Sequence, residues 1–281
     1  MHELTNGNLH VKINSLGAEL KSFTCKGVEY LYAGDQTYWH RSSPTLFPIV
    51  GRLKNNNYKY KNKKYTLPIH GFARFKEFKL THKSDNSLTF LLQESFESLK
   101  HYPFKFNLKI TYTLNENSLE IDYTVHSSEN ILFSFGAHPA FLLHADIDDS
   151  YMEFEKEESS DALCLNLDLG CISHTNKNIL NSNKLALNHD VFAKDALIFK
   201  NLNSNEVIFK NSQNTKSVKV SYDGFKYLAF WAPVGAPFVC IEPWCGIADD
   251  IKTNHRLEDK TSIIKLGKNT LFHKSLTISL N

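Results

Sequence analysis

The sequence predicts an all-β protein built from large antiparallel sheets that pack face to face. Apolar and polar residues alternate along many short segments, which is the pattern of strands buried on one face only. Helical periodicity is confined to two short stretches, and strands do not alternate with long helices as they would around a parallel sheet. These observations favour a β-sandwich over an α/β fold.

The most regular alternation begins at Phe104, where apolar residues occupy every second position as far as Tyr112. The turn-like sequence Asn115-Glu-Asn-Ser follows, and the alternation resumes over residues 118–125, so this region predicts a hairpin. Similar runs predict further strands at residues 10–13, 19–24, 76–80, 87–93, 217–222, 226–231 and 271–279. Short helical turns are expected at residues 94–101 and 188–194, and an exposed polar hairpin at residues 55–64.

The composition indicates a folded protein with a substantial core. Of the 281 residues, 42% are hydrophobic, and they include 20 Phe and 12 Tyr. No linker, low-complexity tract or fixed-period repeat divides the sequence, so a single domain spanning residues 1–281 is expected. The net charge of +2 is spread over 32 basic and 30 acidic residues, which argues against binding to nucleic acid or to an anionic membrane.

The expected location is the cytoplasm. The first residues lack the basic start and apolar run of a signal peptide, and no segment approaches the roughly 18 apolar residues of a membrane helix. Five cysteines, an odd number, are typical of reduced thiols rather than of a disulfide framework. The spacing of Cys240 and Cys245 matches neither a redox motif nor a common zinc motif, so buried structural thiols are expected there.

Four segments interrupt the alternation by placing ionisable residues among glycine, proline and aromatic residues. They are Pro48-Ile-Val-Gly-Arg52, Ile69-His-Gly-Phe-Ala-Arg74, Phe135-Gly-Ala-His-Pro-Ala-Phe141 and Val239-Cys-Ile-Glu-Pro-Trp-Cys-Gly246. Glu242 follows an apolar run, so its carboxylate is expected at a strand end in apolar surroundings, which raise a carboxyl pKa and suit a general base. His138 is followed by a proline that restricts the backbone, and an imidazole can donate a proton to a reacting oxygen near neutral pH.

Each of these residues also has a structural interpretation. Glu242 could pair with an arginine in the core, and His138 or His70 could be a hydrogen-bonded core histidine. Two histidines and a carboxylate also form a common metal-ligand set, although here they come singly from distant segments, and we expect no metal. The sequence lacks the Gly-x-Ser-x-Gly of a serine hydrolase and a glycine-rich phosphate loop.

In order and spacing, Gly-Arg52, His70-Gly, Gly-Ala-His138-Pro and Ile-Glu242-Pro-Trp resemble the aldose 1-epimerase, or galactose mutarotase, superfamily. The resemblance runs from about residue 9 to the C-terminus. Three stretches are similar to the LacX-like branch of bacterial epimerase-like proteins: His70-Gly-Phe-Ala-Arg74, His138-Pro-Ala-Phe141 and Asp190-Val-Phe-Ala-Lys-Asp195-Ala-Leu-Ile-Phe.

This resemblance implies a large β-sandwich of the galactose mutarotase-like type that binds a sugar and uses no cofactor. Glu242 would take the proton from the anomeric hydroxyl while His138 protonates the ring oxygen. His70 and Arg52 would hydrogen-bond the oxygens of the opening ring, and Asp195 would accept hydrogen bonds from sugar hydroxyls. Trp231 or Phe141 would lie against the sugar ring.

One departure from the family leaves the substrate open. Galactose mutarotases proper carry Gly-Gly after the first histidine, whereas this chain has Gly71-Phe72-Ala73-Arg74. The arginine at position 74 resembles a feature of the hexose-6-phosphate epimerase branch, in which a basic cluster can hold a phosphate. A cluster of Arg41, Lys54 and Arg74 could hold a phosphate in this chain. Three hypotheses therefore follow from the sequence: a free-sugar mutarotase, a sugar-phosphate epimerase and a catalytically silent carbohydrate-binding protein. The sequence does not indicate the oligomeric state.

Overall fold

The computed structural model describes the backbone of all 281 residues and the side chains of all except residues 177, 178 and 189. In the first half of the chain the strands are β1 (His2–Thr5), β2 (Leu9–Asn14), β3 (Glu19–Cys25), β4 (Val28–Glu29), β5 (Thr45–Leu46), β6 (Asn57–Tyr60), β7 (Lys63–Thr66), β8 (Lys79–Lys83), β9 (Ser87–Gln93), β10 (Asn107–Leu114), β11 (Ser118–His126), β12 (Ile131–Phe133), β13 (Gly136–Ala137) and β14 (Ala140–Leu142).

In the second half the strands are β15 (Ser150–Phe154), β16 (Ser160–Asn166), β17 (Cys171–Leu180), β18 (Lys184–Ala186), β19 (Leu197–Lys200), β20 (Glu206–Asn211), β21 (Val218–Ser221), β22 (Tyr227–Trp231), β23 (Phe238–Trp244), β24 (Ile264–Leu266) and β25 (Leu271–Leu280). Helix α1 is Phe96–His101, and short 3-10 turns lie at Lys54–Asn56, Ala73–Phe75, Ile147–Asp149, His189–Phe192 and Leu257–Asp259. Among the described residues, no helix has the length and apolar character that crossing a membrane requires.

Two large sheets form most of the molecule, as the sequence predicted, and β1–β4 form a separate four-stranded sheet. One has nine strands in the order β18-β15-β20-β21-β25-β11-β10-β9-β8, and the other has eight, in the order β17-β16-β19-β22-β23-β13-β5 with β14 also paired to β23. Adjacent strands within both sheets are antiparallel. The inner faces meet in one apolar core, where Phe154 of β15 packs edge-on against Phe230 of β22 with ring centroids 6.1 Å apart.

The strand predictions are confirmed in the regular part of the chain and wrong in two details. Strand β9 has the predicted bounds, and β10 and β11 form the predicted hairpin. The predicted strand at residues 76–80 begins only at Lys79, because the backbone at Lys76 and Phe78 bonds to residues 17 and 15 instead of to a sheet neighbour. The strands from β15 to β20 were missed, although buried and half-buried residues alternate in β15.

Strand β23 has one face in the core and the other turned away from it. Val239 and Ile241 belong to the core, so the alternation of a strand places Cys240, Glu242 and Trp244 on the opposite face. That second face is also covered, since all seven residues of β23 are buried. Part of the cover is Tyr32, whose ring stacks on Phe238 with centroids 4.1 Å apart.

Candidate active site

The register of β23 and its neighbour brings Glu242 and His138 together. Residue 136 pairs with 244 and residue 140 with 240, so His138, between β13 and β14, comes directly opposite Glu242. Nε2 of His138 lies 3.0 Å from Oε2 of Glu242, and the two residues are only 6% and 1% exposed. The structure thus joins the predicted acid and the predicted base, which are 104 positions apart in sequence, in one buried pair.

The sequence suggested that Glu242 lies at a strand end, but it lies within strand β23. Small residues lie beside it on the neighbouring strands: Ala229 on β22 is directly opposite Glu242, and Ala140 on β14 is opposite Cys240. Methyl side chains therefore lie close to the carboxylate on this covered face of the strand.

Burial sets the charge of both partners. It raises the pKa of Glu242 well above the usual carboxyl range, and the negative charge of nearby Asp195 raises it further. It lowers the pKa of His138 well below its usual range, and a charge on the neighbouring His70 ring, when that ring is protonated, and the positive charge of Arg74 lower it further. Nδ1 of His138 has no hydrogen-bond partner among the described residues, and Oε2 of Glu242 has none with hydrogen-bond alignment, although Nε2 of His138 lies 3.0 Å from it. The environment therefore disfavours separate charges on the two groups and favours a neutral carboxylic acid beside a neutral imidazole.

His70 is held as a neutral hydrogen-bond donor. The backbone N–H of Gly51 donates to Nδ1 of His70 over 3.1 Å, so the ring carries its proton on Nε2. Burial, together with the charges of Arg74 and Arg52, lowers the pKa of His70 to about 3. Its ring lies edge-on to His138 with centroids 5.6 Å apart. His70 therefore lies beside His138, and its predicted hydrogen bond to the oxygens of the opening sugar ring stays a prediction.

A positive backbone φ turns His70 toward the pair. His70 has a φ of 62° and Gly71 a φ of 71°, a combination that is uncommon outside glycine. A Cβ at residue 71 would lie 2.3 Å from the carbonyl oxygen of Phe47. The glycine after this histidine is therefore required for the backbone to pass so close to Phe47, which is the physical basis of the His70-Gly motif.

Two tryptophans form an aromatic wall beside the imidazole of His138. Trp39 stacks on His138 with centroids 4.7 Å apart and planes 28° from parallel, and Trp231 meets it edge-on at 5.9 Å. Trp231 was predicted, whereas Trp39 was missed; its only sequence signal is the polar and aromatic run Trp39-His40-Arg41. Phe141, the other aromatic suggested for sugar contact, is fully buried in the main core. Adjacent residues of a strand face opposite sides of the sheet, and Phe141 lies on the core side.

Asp195 lies close enough to the pair to affect it electrostatically. It follows the 3-10 turn at His189–Phe192, has a φ of 76°, and accepts a hydrogen bond from the Ala196 N–H at 2.8 Å. Its charge raises the pKa of Glu242, so its carboxylate lies near the pair of His138 and Glu242. Its predicted contact with sugar hydroxyls stays a prediction.

The two predicted arginines flank His70. Arg52 follows Gly51 in the chain, its guanidinium donates to Oδ1 of Asn56 at 3.4 Å, and its charge acts on His70. Arg74 donates to the carbonyl of Ile69 at 2.7 Å, and burial together with the charge of Arg41 lowers its pKa to about 10. Both arginines therefore contribute positive potential next to His70.

The predicted cluster of three basic residues is wrong in one member. The guanidinium carbons of Arg41 and Arg74 lie 4.9 and 4.8 Å from the centre of the Phe75 ring, so these two are close together. Lys54 instead donates to the carbonyl of Ile251 at 2.6 Å. The third cation near the arginine pair is Lys21, whose ammonium lies 4.0 Å from Glu19, the same carboxylate that Arg41 approaches at 3.5 Å.

All five cysteines are free thiols, as predicted, and both Cys240 and Cys245 are buried. Cys245 belongs to the main core, whereas Cys240 shares the face of Glu242. One donor atom each from His138, Cys240 and Glu242 lie within 4.8 Å of one another. This grouping differs from the two-histidine set considered from the sequence, since His70 does not belong to it.

The fold and the site together define a β-sandwich protein with a buried histidine–glutamate pair on the outer face of its eight-stranded sheet. The family model for aldose 1-epimerase matches residues 1–264, and the chain belongs to that family. Individual proteins are also similar to the chain over nearly its whole length. Protein LacX (plasmid) of Lactococcus lactis subsp. lactis is 32% identical over 99% of this chain and 98% of its own length.

Solved structures give the same result. The chain is similar to a galactose mutarotase related enzyme from Lactobacillus acidophilus, with 31% identity, a TM-score of 0.93, and coverage of 100% of this chain and 97% of that one. It is equally similar to a galactose mutarotase-like protein from Lactobacillus casei ATCC 334, with 29% identity, a TM-score of 0.93 and full coverage of both chains. The predicted resemblance to the LacX-like branch and the predicted fold are confirmed.

Proposed function

We propose that this protein is an aldose 1-epimerase that interconverts the α and β anomers of a free aldose in the cytoplasm. The observation that carries the proposal is the buried contact of 3.0 Å between His138 and Glu242. The anomeric hydroxyl and the ring oxygen of an aldose are bonded to the same carbon, so an acid and a base that serve both must lie side by side. The five free thiols support the cytoplasmic location.

The chemistry follows from one proton shared by the pair. With that proton on Nε2 of His138, Glu242 is a carboxylate and removes the proton of the anomeric hydroxyl while the imidazolium protonates the ring oxygen. The C1–O5 bond breaks, the aldehyde forms, and the pair becomes a neutral carboxylic acid and a neutral imidazole. Burial favours this neutral form, because it penalises the charged form of each group.

Ring closure reverses the proton transfers. Rotation about the C1–C2 bond presents the other face of the aldehyde, and attack by the C5 hydroxyl returns its proton to His138 while Glu242 reprotonates the new anomeric oxygen. The Nε2–H of His70 donates to a sugar oxygen on which charge develops, with Arg52 adding positive potential. Trp39 and Trp231 offer aromatic faces to the apolar side of the sugar, and Asp195 accepts hydrogen bonds from its hydroxyls.

Polarimetry of freshly dissolved α-glucose and α-galactose tests the proposal. Glu242→Gln and His138→Asn should each slow the catalysed rate by roughly 10²–10⁴-fold, the usual contribution of a general acid or base. Glu97→Gln and His273→Asn are matched controls, since these side chains are 63% and 52% exposed and lie in surface ion pairs. Equal activity of wild type and both site variants would refute the assigned roles.

A second candidate, a hexose-6-phosphate 1-epimerase, is favoured by the Arg41–Arg74 pair. The guanidinium groups of Arg41 and Arg74 lie over one aromatic ring, with the carboxylate of Glu19 3.5 Å from Arg41. Nε of each arginine is buried without a hydrogen-bond partner among the described residues, so two donors remain for a second anion. If a phosphate binds there, hexose 6-phosphate should raise the melting temperature where the free hexose does not, and Arg74→Met should abolish that difference. Binding of both sugars without turnover of either would favour a silent carbohydrate-binding protein.

A further inference from the structure

The thiol of Cys240 lies beside the catalytic pair and has no role in the proposed proton transfers. Cys240 and Glu242 are two residues apart on β23, so both face the same side of the sheet, and His138 lies opposite Glu242. A sulfur, an imidazole nitrogen and a carboxylate oxygen from these residues all lie within 4.8 Å of one another. All three residues are buried, with at most 6% of any of them exposed.

We propose that His138, Cys240 and Glu242 form a binding site for a thiophilic divalent cation, Zn²⁺, and that the bound ion inhibits ring opening. One nitrogen, one sulfur and one oxygen ligand are the donors that Zn²⁺ accepts in tetrahedral sites with an open fourth position. Ions such as Mg²⁺ and Ca²⁺ prefer all-oxygen ligands, so the thiol selects against them. The binding part of the proposal stands by itself, and the inhibition part rests on the proposed function.

The geometry needs only a small contraction to hold the ion. Bond lengths of about 2.0–2.3 Å place two ligand atoms of a tetrahedral zinc site roughly 3.3–3.8 Å apart. The present separations, at most 4.8 Å, therefore have to close by no more than about 1–1.5 Å. Coordination replaces the 3.0 Å contact between Nε2 of His138 and Oε2 of Glu242, while Nδ1 of His138 makes no hydrogen bond within the described part of the chain.

Binding is a ligand exchange without redox chemistry. The thiol of Cys240 and the carboxyl of Glu242 give up their protons to the solvent as the sulfur and oxygen coordinate Zn²⁺, and a neutral nitrogen of His138 supplies its lone pair. The ion then occupies the lone pair with which the carboxylate of Glu242 accepts the catalytic proton. It also occupies the lone pair with which the imidazole of His138 holds that proton. Sugar turnover and metal binding therefore exclude each other.

Binding is tested first with Co²⁺, a spectroscopic substitute for Zn²⁺, added to chelator-treated protein. A near-ultraviolet thiolate-to-cobalt charge-transfer band that saturates at one equivalent and is displaced by Zn²⁺ is expected. Cys240→Ala should lose the band, whereas Cys245→Ala, which removes another buried thiol from the main core, should keep it. Cys240→Val, closer in volume to cysteine, replaces the alanine variant if circular dichroism shows that Cys240→Ala is unfolded. Absence of the band in wild type, or its persistence without Cys240, would overturn the proposal.

Inhibition is tested by polarimetry, with each protein compared with its own metal-free rate. Zn²⁺ should slow wild type and Cys245→Ala at least tenfold, and the ratio of rates with and without Zn²⁺ should return close to one in Cys240→Ala. If the chain lacks epimerase activity, the Co²⁺ spectrum still decides the binding claim. If the chain is an active epimerase whose rate is unchanged by saturating Zn²⁺, inhibition is refuted while the proposed function stands.

Discussion

Replacing Lys260 by methionine should lower the free energy of unfolding by about 3–5 kcal/mol, because it leaves a buried carboxylate without its cation. The ammonium of Lys260 lies 2.9 Å from Oδ1 of Asp249 and donates to the carbonyl of Ile247 at 2.7 Å. The two side chains are only 2% and 4% exposed. Burial lowers the pKa of Lys260 even though Asp249 opposes the change, so desolvation outweighs the attraction within the pair.

The same balance predicts a partial rescue. A buried ion pair adds little net stability, whereas removing one partner is costly. Asp249→Asn in the Lys260→Met background removes the orphaned charge and keeps an acceptor for the Lys54 N–H, which donates to Oδ2 of Asp249 at 3.0 Å. The double variant should therefore be more stable than Lys260→Met alone.

Urea unfolding monitored by tryptophan fluorescence measures these differences, and the melting temperature of Lys260→Met should fall by roughly 6–15 °C. Lys100→Met is the control, since its contact of 2.6 Å with Glu97 joins side chains that are 49% and 63% exposed, and its loss should change stability by less than about 0.5 kcal/mol. A Lys260→Met variant within about 1 kcal/mol of wild type, or a double variant no better than the single one, would refute the reasoning.

Three further predictions concern the site and the loop that carries it. Folding lowers the pKa of His70 from 6.5 to about 3, so its contribution to the free energy of unfolding is present above pH 6.5 and is lost as the pH falls towards 3. At pH 5, which is 1.5 pH units below 6.5, the loss is up to about 2 kcal/mol at 1.36 kcal/mol for each unit. Urea unfolding at pH 7 and pH 5 should thus show a smaller loss for His70→Gln than for wild type, and equal losses would contradict the assignment. Trp39→Ala should lower kcat/KM in polarimetry by roughly 5–30-fold through loss of its stack on His138, corresponding to about 1–2 kcal/mol, while Trp39→Phe keeps most of the activity; an unchanged KM and kcat would remove Trp39 from the site. Gly71→Ala should lower the free energy of unfolding by more than about 3 kcal/mol, since the cost of the positive φ and the cost of the contact with Phe47 add together. The control Gly7→Ala has a φ of 90° and no atom within 4 Å of the new Cβ, so it should show only the cost of the positive φ. Similar unfolding midpoints for the two variants would show that the contact with Phe47 is harmless.

The predictability of the fold from sequence varies along the chain for a physical reason. Strand β9 and the β10–β11 hairpin were predicted because a strand with one face in the core must alternate, and a tight turn needs residues such as those at Asn115. Strand β23 is buried on both faces, so its apolar run Phe238-Val-Cys-Ile carries no alternation, and Glu242 was placed at a strand end instead of within the strand.

The site residues were recognisable individually, because Gly, Pro and ionisable groups interrupt the alternation only where something other than a plain strand is required. The conformational need for Gly71 is local, and the fixed φ of Pro139 next to His138 is a property of the residue itself. Local chemistry of this kind could indicate an acid, a base and a donor.

The amino-acid sequence by itself therefore determined the all-β class and many of the strands, and it marked Glu242, His138 and His70 as candidate site residues, since these depend on side-chain period and residue chemistry. Only the tertiary structure decided that His138 meets Glu242, that Trp39 stacks on the imidazole, that Lys54 leaves the arginine pair and that Cys240 joins the catalytic face. Each of these depends on strand register or on the path of a loop between residues far apart in sequence, and such contacts are set by the packing of the whole sandwich rather than by any local segment.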